Sequence, residues 1–300
     1  MTLPSLPRDF SRYVALICLA LLVMPAEAAP VGPVKHTKGL LWRISAPGLA
    51  PSYLFGTMHS SDPRVTILPK ALTDSFNRST SFSMELIFTG AGIVHMAEIM
   101  FYGKNESLKD DIGDELYNKI RAALIKHGMP TRDLDKKKPW AIIMALGSPK
   151  TMRSVLFLDL ILQHKATLQL KPTYGLETMD EQLQVFEGLS IDDQIQLLKE
   201  ALKYRSTNAE QMEQLMKAYL NRDLAALAAI SDRYQARAGP AYGKLMDRLL
   251  AKRNHRMLER MQPRLKEGKA FIAIGALHLP GREGLLTLLE NNGYQVTAVY

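Results

Sequence analysis

A chain of 300 residues that is 47% hydrophobic can bury the core of one large domain or two small ones. Its formal net charge of +8 comes from Lys and Arg scattered along the chain, and only 7% of residues are aromatic. No nucleic-acid-binding module is recognisable, and the densest basic run, Lys136-Lys137-Lys138, reads as a solvated loop between Asp133, Asp135 and Pro139.

The chain opens with Arg8 and Arg12, then the apolar run "YVALICLALLVM" over 13–24, Pro25 and the small-x-small triplet Ala26-Glu27-Ala28. That order predicts a signal peptide over 1–28, cleaved after Ala28, and a periplasmic or secreted mature protein. The apolar run is short for a membrane span, so no stable span is expected after cleavage. Cys18, the single cysteine, lies inside this run. A mature chain of 29–300 then has neither disulfides nor a thiolate nucleophile.

Next come "LLWRISAPG" and "PSYLFGTMH", two strand-like runs joined by a Pro/Gly turn, which predict a hairpin. A short helix is expected over 68–78, opening at Pro69. "STSFSMELIF" over 79–88 sets Phe82, Met84, Leu86 and Phe88 against Ser83, Glu85 and Ile87, the period of a strand that contains Glu85. From about 90 to 265 the pattern is helical. "DDIGDELYNKIRAALIKHG" ends in Gly128 as a C-cap, and two apolar helices divide at Ser148-Pro149. Ser190 with Asp193, and Thr207 with Glu210, look like helix-opening caps, and another helix follows Gly239-Pro240. The chain closes with a strand over 270–278, a helix over 282–291 and a strand over 294–300.

The expected fold class is therefore α/β (α+β-like): a mixed sheet formed by the N- and C-terminal segments, with a large central helical insertion. Residues 29–300 form a single domain in this reading.

Two Gly-x-x-His elements, Gly56 to His59 and Gly275 to His278, fall where a strand gives way to a loop. Ligand sites of open α/β sheets lie beyond the carboxyl ends of strands. A glycine there allows a bend or a close approach beside an imidazole. Glu85 is a carboxylate in an otherwise apolar element and needs a cation, a metal or a hydrogen-bond partner. His59, His278 and Glu85 together suit a divalent metal that activates water. The competing reading is two turn histidines bonded to local backbone and a solvent-facing glutamate.

In "AYGKLMDRLLAKRNHRMLERM" the apolar stripe of Met246, Leu250, Met257 and Met261 would continue through Arg253 and Asn254. Arg253 either pairs with a carboxylate such as Glu85 or of a substrate, or snorkels outward along its stem. Glu177 in "YGLETMDEQ" is either an exposed helix cap or a site carboxylate. His36, His95, His127, His164 and His255 have no comparable setting. The sequence carries no phosphate loop, nucleophile elbow or His-Glu-x-x-His helix.

"LFGTMHSSDPRVTILP", "FSMEL", "YGLET", "KRNHRM" and "AIGALHLPGREGLLTLLENNGYQV" together resemble the TraB/GumN family, related to the Tiki proteases that act on Wnt. The resemblance covers essentially the whole mature chain, in order. It implies a sheet formed by both chain ends around helices. It also implies a metal site of the paired Gly-x-x-His motifs and a glutamate, here His59, His278 and Glu85, with Glu177, Arg253 and Asn254 in support. Manganese, cobalt or zinc is the implied cofactor, and a peptide or protein the implied substrate. Two functions follow as expectations: an exported metal-dependent hydrolase, most simply a peptidase, or a non-catalytic protein that sequesters a peptide or factor in the same cleft.

Overall fold

A computed structural model describes residues 35–147, 157–204, 208–237 and 239–300. The signal-peptide segment, the divide at Ser148-Pro149 and the cap at Thr207 lie outside these residues. Six strands make one mixed sheet: β1 (Leu41–Ser45), β2 (Ser52–Thr57), β3 (Ser81–Met84), β4 (Thr173–Gly175), β5 (Ala270–Gly275) and β6 (Gln295–Ala298). Their spatial order is β4-β3-β5-β2-β1-β6. The predicted hairpin pairs β1 with β2 antiparallel, and β6 closes the far edge against β1.

At the centre β5, from the C-terminal segment, lies between β2 and β3 and runs parallel to both. The sheet is thus built from both chain ends, as expected, with one addition. β4 comes from inside the helical middle and lies parallel to β3 at the other edge. Three residues are too few to show a period of two, so the sequence pattern did not mark it.

Burial follows from this order. Phe82, Phe271 and Phe55 share one face of the sheet, and Phe76 from the helix Lys70–Arg78 packs on them, with ring centroids 5.0 Å apart for Phe76 and Phe271. All four residues of β3 are buried, because elements packed above and below the parallel part of the sheet cover both of its faces.

Several expected boundaries move. β3 stops at Met84, so Glu85 stands just past the strand end and not within it. β5 stops at Gly275, and Ala276–His278 is a 3-10 turn. The last helix is Leu285–Asn291 and the last strand is shorter than predicted. The helix near 68–78 begins at Lys70, with Pro69 as its cap residue, and a single turn at Pro63–Thr66 precedes it. Gly128 does end the helix Leu108–His127 in the left-handed region, and Ser190 accepts from the Asp193 amide. No helix among the described residues is long and apolar enough to cross a membrane.

Gly56 shows what the first motif glycine does. A Cβ there would stand 2.8 Å from Leu279 Cδ1 and 3.2 Å from the Cα of Ala276. The missing side chain lets the turn that carries His278 lie directly on β2. Gly56→Ala is expected to destabilise the protein by about 1–3 kcal/mol through overpacking. Urea unfolding measures this, and an unchanged midpoint would mean that the turn moves aside at no cost.

Candidate functional site

Four parallel strands end side by side, and each hands a polar residue to the same end of the sheet. Met84 of β3 pairs with Gly175 of β4 and with Ala273 of β5, and Thr57 of β2 pairs with Gly275 of β5. Just beyond these ends lie Glu177, Glu85, His278 and His59. The helix Ala251–Glu267 adds Arg253 and Asn254, both buried where the stripe analysis put them.

The second motif glycine is also explained by close approach. The Gly275 amide donates to Glu85 Oε1 at 2.6 Å. A Cβ on Gly275 would lie 3.1 Å from that oxygen and 3.6 Å from His278 Cδ2. The other oxygen of Glu85 accepts from Arg253 Nη2 at 2.5 Å. Burial alone would raise the Glu85 pKa, but Arg253 first, then His278, His59 and the Gly275 amide, hold it at about 2. Glu85 is therefore ionised.

Glu177 is not an exposed cap: its side chain is 0% accessible. Thr178 caps the following helix in a full capping box with Glu181. Arg253 Nε donates to Glu177 at 2.9 Å, and Nη2 donates to it at 2.6 Å. Nη1 donates to the carbonyl of Leu249. The guanidinium thus bridges Glu85 and Glu177 and does not snorkel. Two carboxylates raise its pKa against the opposing effect of burial. Arg256 Nη1 reaches Glu177 at 3.3 Å, and Arg260 pairs with Glu181 at 2.6 Å.

Each histidine has an oxygen acceptor close to Nδ1. His278 Nδ1 lies 2.6 Å from Asn254 Oδ1, while the Asn254 amide nitrogen donates to the carbonyls of His278 and Glu283. With that amide so oriented, its oxygen accepts and His278 carries its proton on Nδ1. Burial, aided by Arg253 and His59 and opposed by Glu85, lowers the His278 pKa to about 3, so the ring is neutral. His59 Nδ1 lies 2.8 Å from Asp159 Oδ2, and Thr57 Oγ1 donates to Asp159 Oδ1 at 2.8 Å. Gly56 of the first motif lies directly against Ala276 and Leu279 in the turn of the second, so the two motifs are neighbours, and a charge on His59 would be felt by both Glu85 and His278.

The sequence reading missed Asp159, Thr57, Tyr219, Arg256 and Arg260. Asp159 stands in the apolar run "VLFLDLILQHKA" and, like Glu85, is a lone carboxylate among apolar neighbours that needs a partner. Tyr219 is buried and donates to the carbonyl of Gly56 at 3.0 Å. Burial and the nearby Asp159 raise its pKa.

Two imidazoles, that of His278 neutral, and one ionised carboxylate match the donor types of a divalent cation. His278 Nε2 and Glu85 Oε1 are 3.9 Å apart, against roughly 3.4 Å for two ligands about 2.1 Å from one tetrahedral ion. Glu85, however, already has both oxygens engaged. Among the described residues no three His, Asp or Glu side chains are gathered into a metal cage.

Fold and site define a mixed α/β protein with a polar, two-histidine centre at the carboxyl ends of parallel strands. The model of the TraB/PrgY/gumN family matches residues 40–298, and the chain belongs to that family. It is 27% identical over 329 residues to Metalloprotease TIKI2 of Xenopus tropicalis, covering 91% of this chain and 62% of that protein. Metalloprotease TIKI1 of Homo sapiens is 25% identical over 309 residues, covering 85% of this chain and 61% of that protein. Uncharacterized protein YbaP of Escherichia coli (strain K12) is 23% identical over 253 residues, 82% of this chain and 90% of that one. The chain thus spans about six tenths of the length of the TIKI relatives it matches. No solved structure matches.

Proposed function

We propose that this chain is an exported, metal-dependent hydrolase acting on peptides in the periplasm or outside the cell. One observation carries the reading: two histidines, each with Nδ1 within 2.8 Å of an oxygen acceptor, stand at adjacent strand ends beside an ionised buried carboxylate. Histidines that bind metal commonly donate their second ring N–H to such an acceptor. The relatives named metalloproteases support the same class.

In this reading His59, His278 and Glu85 hold the ion. When bound, a divalent ion supplies Lewis acidity, which acidifies water and polarises a carbonyl. Manganese, cobalt and zinc all suit the donor set. Glu177 is enclosed and serves by fixing Arg253, and Arg253 in turn keeps Glu85 ionised. Asn254 fixes the tautomer of His278.

The engagement of both Glu85 oxygens within the protein favours a second reading, a peptide-sequestering protein that uses the same cleft without turnover. Calorimetric titration with manganese, zinc and cobalt, followed by turnover of a peptide library, separates the two. The expected result is metal-stimulated cleavage, stopped by chelator and lost in both His59→Ala and His278→Ala while their circular dichroism is unchanged. Peptide retention without cleavage, indifferent to chelator, would establish the second reading. Cleavage that persists in both variants would remove this site assignment.

A further inference from the structure

We propose that Asp159, oriented by Thr57, is the positioning residue that sets the tautomer and direction of His59. The inference rests on the two-histidine reading of the site. Asp159 lies in the first turn of the helix Leu158–Leu168 and is buried, with a side chain 4% accessible. A carboxylate in a helix's first turn complements the helix dipole, but that does not call for a buried one. Its two oxygens are divided between two partners at the end of β2: Oδ1 accepts the Thr57 hydroxyl at 2.8 Å, and Oδ2 lies 2.8 Å from His59 Nδ1 as an ion-pair contact, off the line of a good hydrogen bond.

A carboxylate oxygen only accepts, so in the neutral ring it selects the tautomer with the proton on Nδ1 and leaves the lone pair on Nε2. Thr57 and His59 flank Met58 in the Gly-x-x-His segment. One carboxylate therefore clamps the strand end and the imidazole together. Phe157, the residue before the helix, meets the His59 ring edge to face with centroids 5.5 Å apart. The carboxylate sets the proton and the phenyl ring limits rotation. His278 receives the same service from Asn254, so both motifs use one device, with a different acceptor on each.

Asp159→Asn keeps the shape and changes the chemistry. Thr57 is buried, and leaving its hydroxyl proton unpaired would cost about 1–3 kcal/mol. The amide oxygen therefore stays with Thr57, and the amide N–H faces His59 Nδ1. That arrangement forces the proton to Nε2.

The test is the tautomer of His59 in chelator-treated protein at mildly alkaline pH, read from two-bond proton–nitrogen-15 correlations. Wild type is expected to show Nδ1–H and Asp159→Asn to show Nε2–H. Adding Thr57→Val to Asp159→Asn lets the amide turn its oxygen back and should restore Nδ1–H. Manganese affinity, measured by calorimetry, is expected to fall about 10–100-fold in Asp159→Asn and to recover in the double variant. Nδ1–H persisting in Asp159→Asn overturns the assignment whatever the metal does. If that variant does not fold, Nε2–H in wild type alone overturns it. Absence of manganese binding in wild type, with the tautomer changing as expected, removes the metal reading and supports the role of Asp159.

Discussion

Replacing Arg253 with methionine is expected to destabilise the protein by about 3–5 kcal/mol, the cost typical of removing one member of a buried ion network. Arg253 is the cation that bridges Glu85 and Glu177, at 2.5 and 2.6 Å. Methionine replaces much of the aliphatic stem, so little of the loss comes from packing. The cost arises from what remains. Glu85 keeps only the Gly275 amide and the neutral His278, and Glu177 keeps Gln182 and Arg256. Arg256 is partly exposed and 3.3 Å away, a poor substitute for a bidentate guanidinium.

The effect is strongly non-additive, which distinguishes it from ordinary packing. Combining Arg253→Met with Glu85→Gln and Glu177→Gln removes the charges that the single variant leaves buried. The triple variant is therefore expected to be more stable than Arg253→Met, although it carries three substitutions where that carries one. Urea unfolding at neutral pH measures both. A single variant within about 1 kcal/mol of wild type, at the small-effect end of point substitutions, would show that water reaches these carboxylates.

This network also marks where sequence reasoning stopped. The convergence of His59 and His278 was legible because the same Gly-x-x-His pattern ends a strand at each end of the chain, and one sheet built from both ends must bring two such strands together. Arg253 and Asn254 were legible as interruptions of an apolar stripe. The pairing of Arg253 with Glu85 and Glu177 at once was not, because helical period gives the direction of a side chain and says nothing of which carboxylates wait there. Glu177 was set beside a helix start, but its burial depends on β4, a strand of three residues. Asp159 is hard to single out because the apolar residues around it define the helix so well. Strand ends failed for a local reason: hydrophobic alternation continues from Met84 through Phe88 although the ladder stops, since the chain past Met84 still packs against apolar neighbours.

Stability should fall with acid in two stages, the first carried by His278 and the second by buried or paired carboxylates led by Glu85. His278 titrates ordinarily near 6.5 and at about 3 in the fold, chiefly because burial penalises the imidazolium. Below 6.5 the unfolded chain takes up this proton and the folded protein does not, so stability declines as pH falls from 6.5 towards 3. Glu85 has an ordinary value of 4.5 and is held at about 2 by Arg253 and its neighbours, against the opposing effect of burial. Its contribution is complete above 4.5 and is lost as pH falls from there through 2. Each group contributes a slope of up to about 1.4 kcal/mol per pH unit within its own window, in the same direction. Unfolding in urea across this range, on chelator-treated protein, assigns the stages. His278→Gln should remove the decline that begins near 6.5 and keep the steeper fall below 4.5. Glu85→Gln should lower stability at neutral pH, because Arg253 loses a partner, yet reduce the steepening below 4.5, leaving the share of Glu181, whose carboxyl the Arg260 hydrogen bond holds at about 2. A wild-type profile flat between 6.5 and 4.5 would mean that His278 accepts a proton inside the fold as readily as outside it. That would contradict the buried, neutral imidazole on which its suitability as a metal ligand depends.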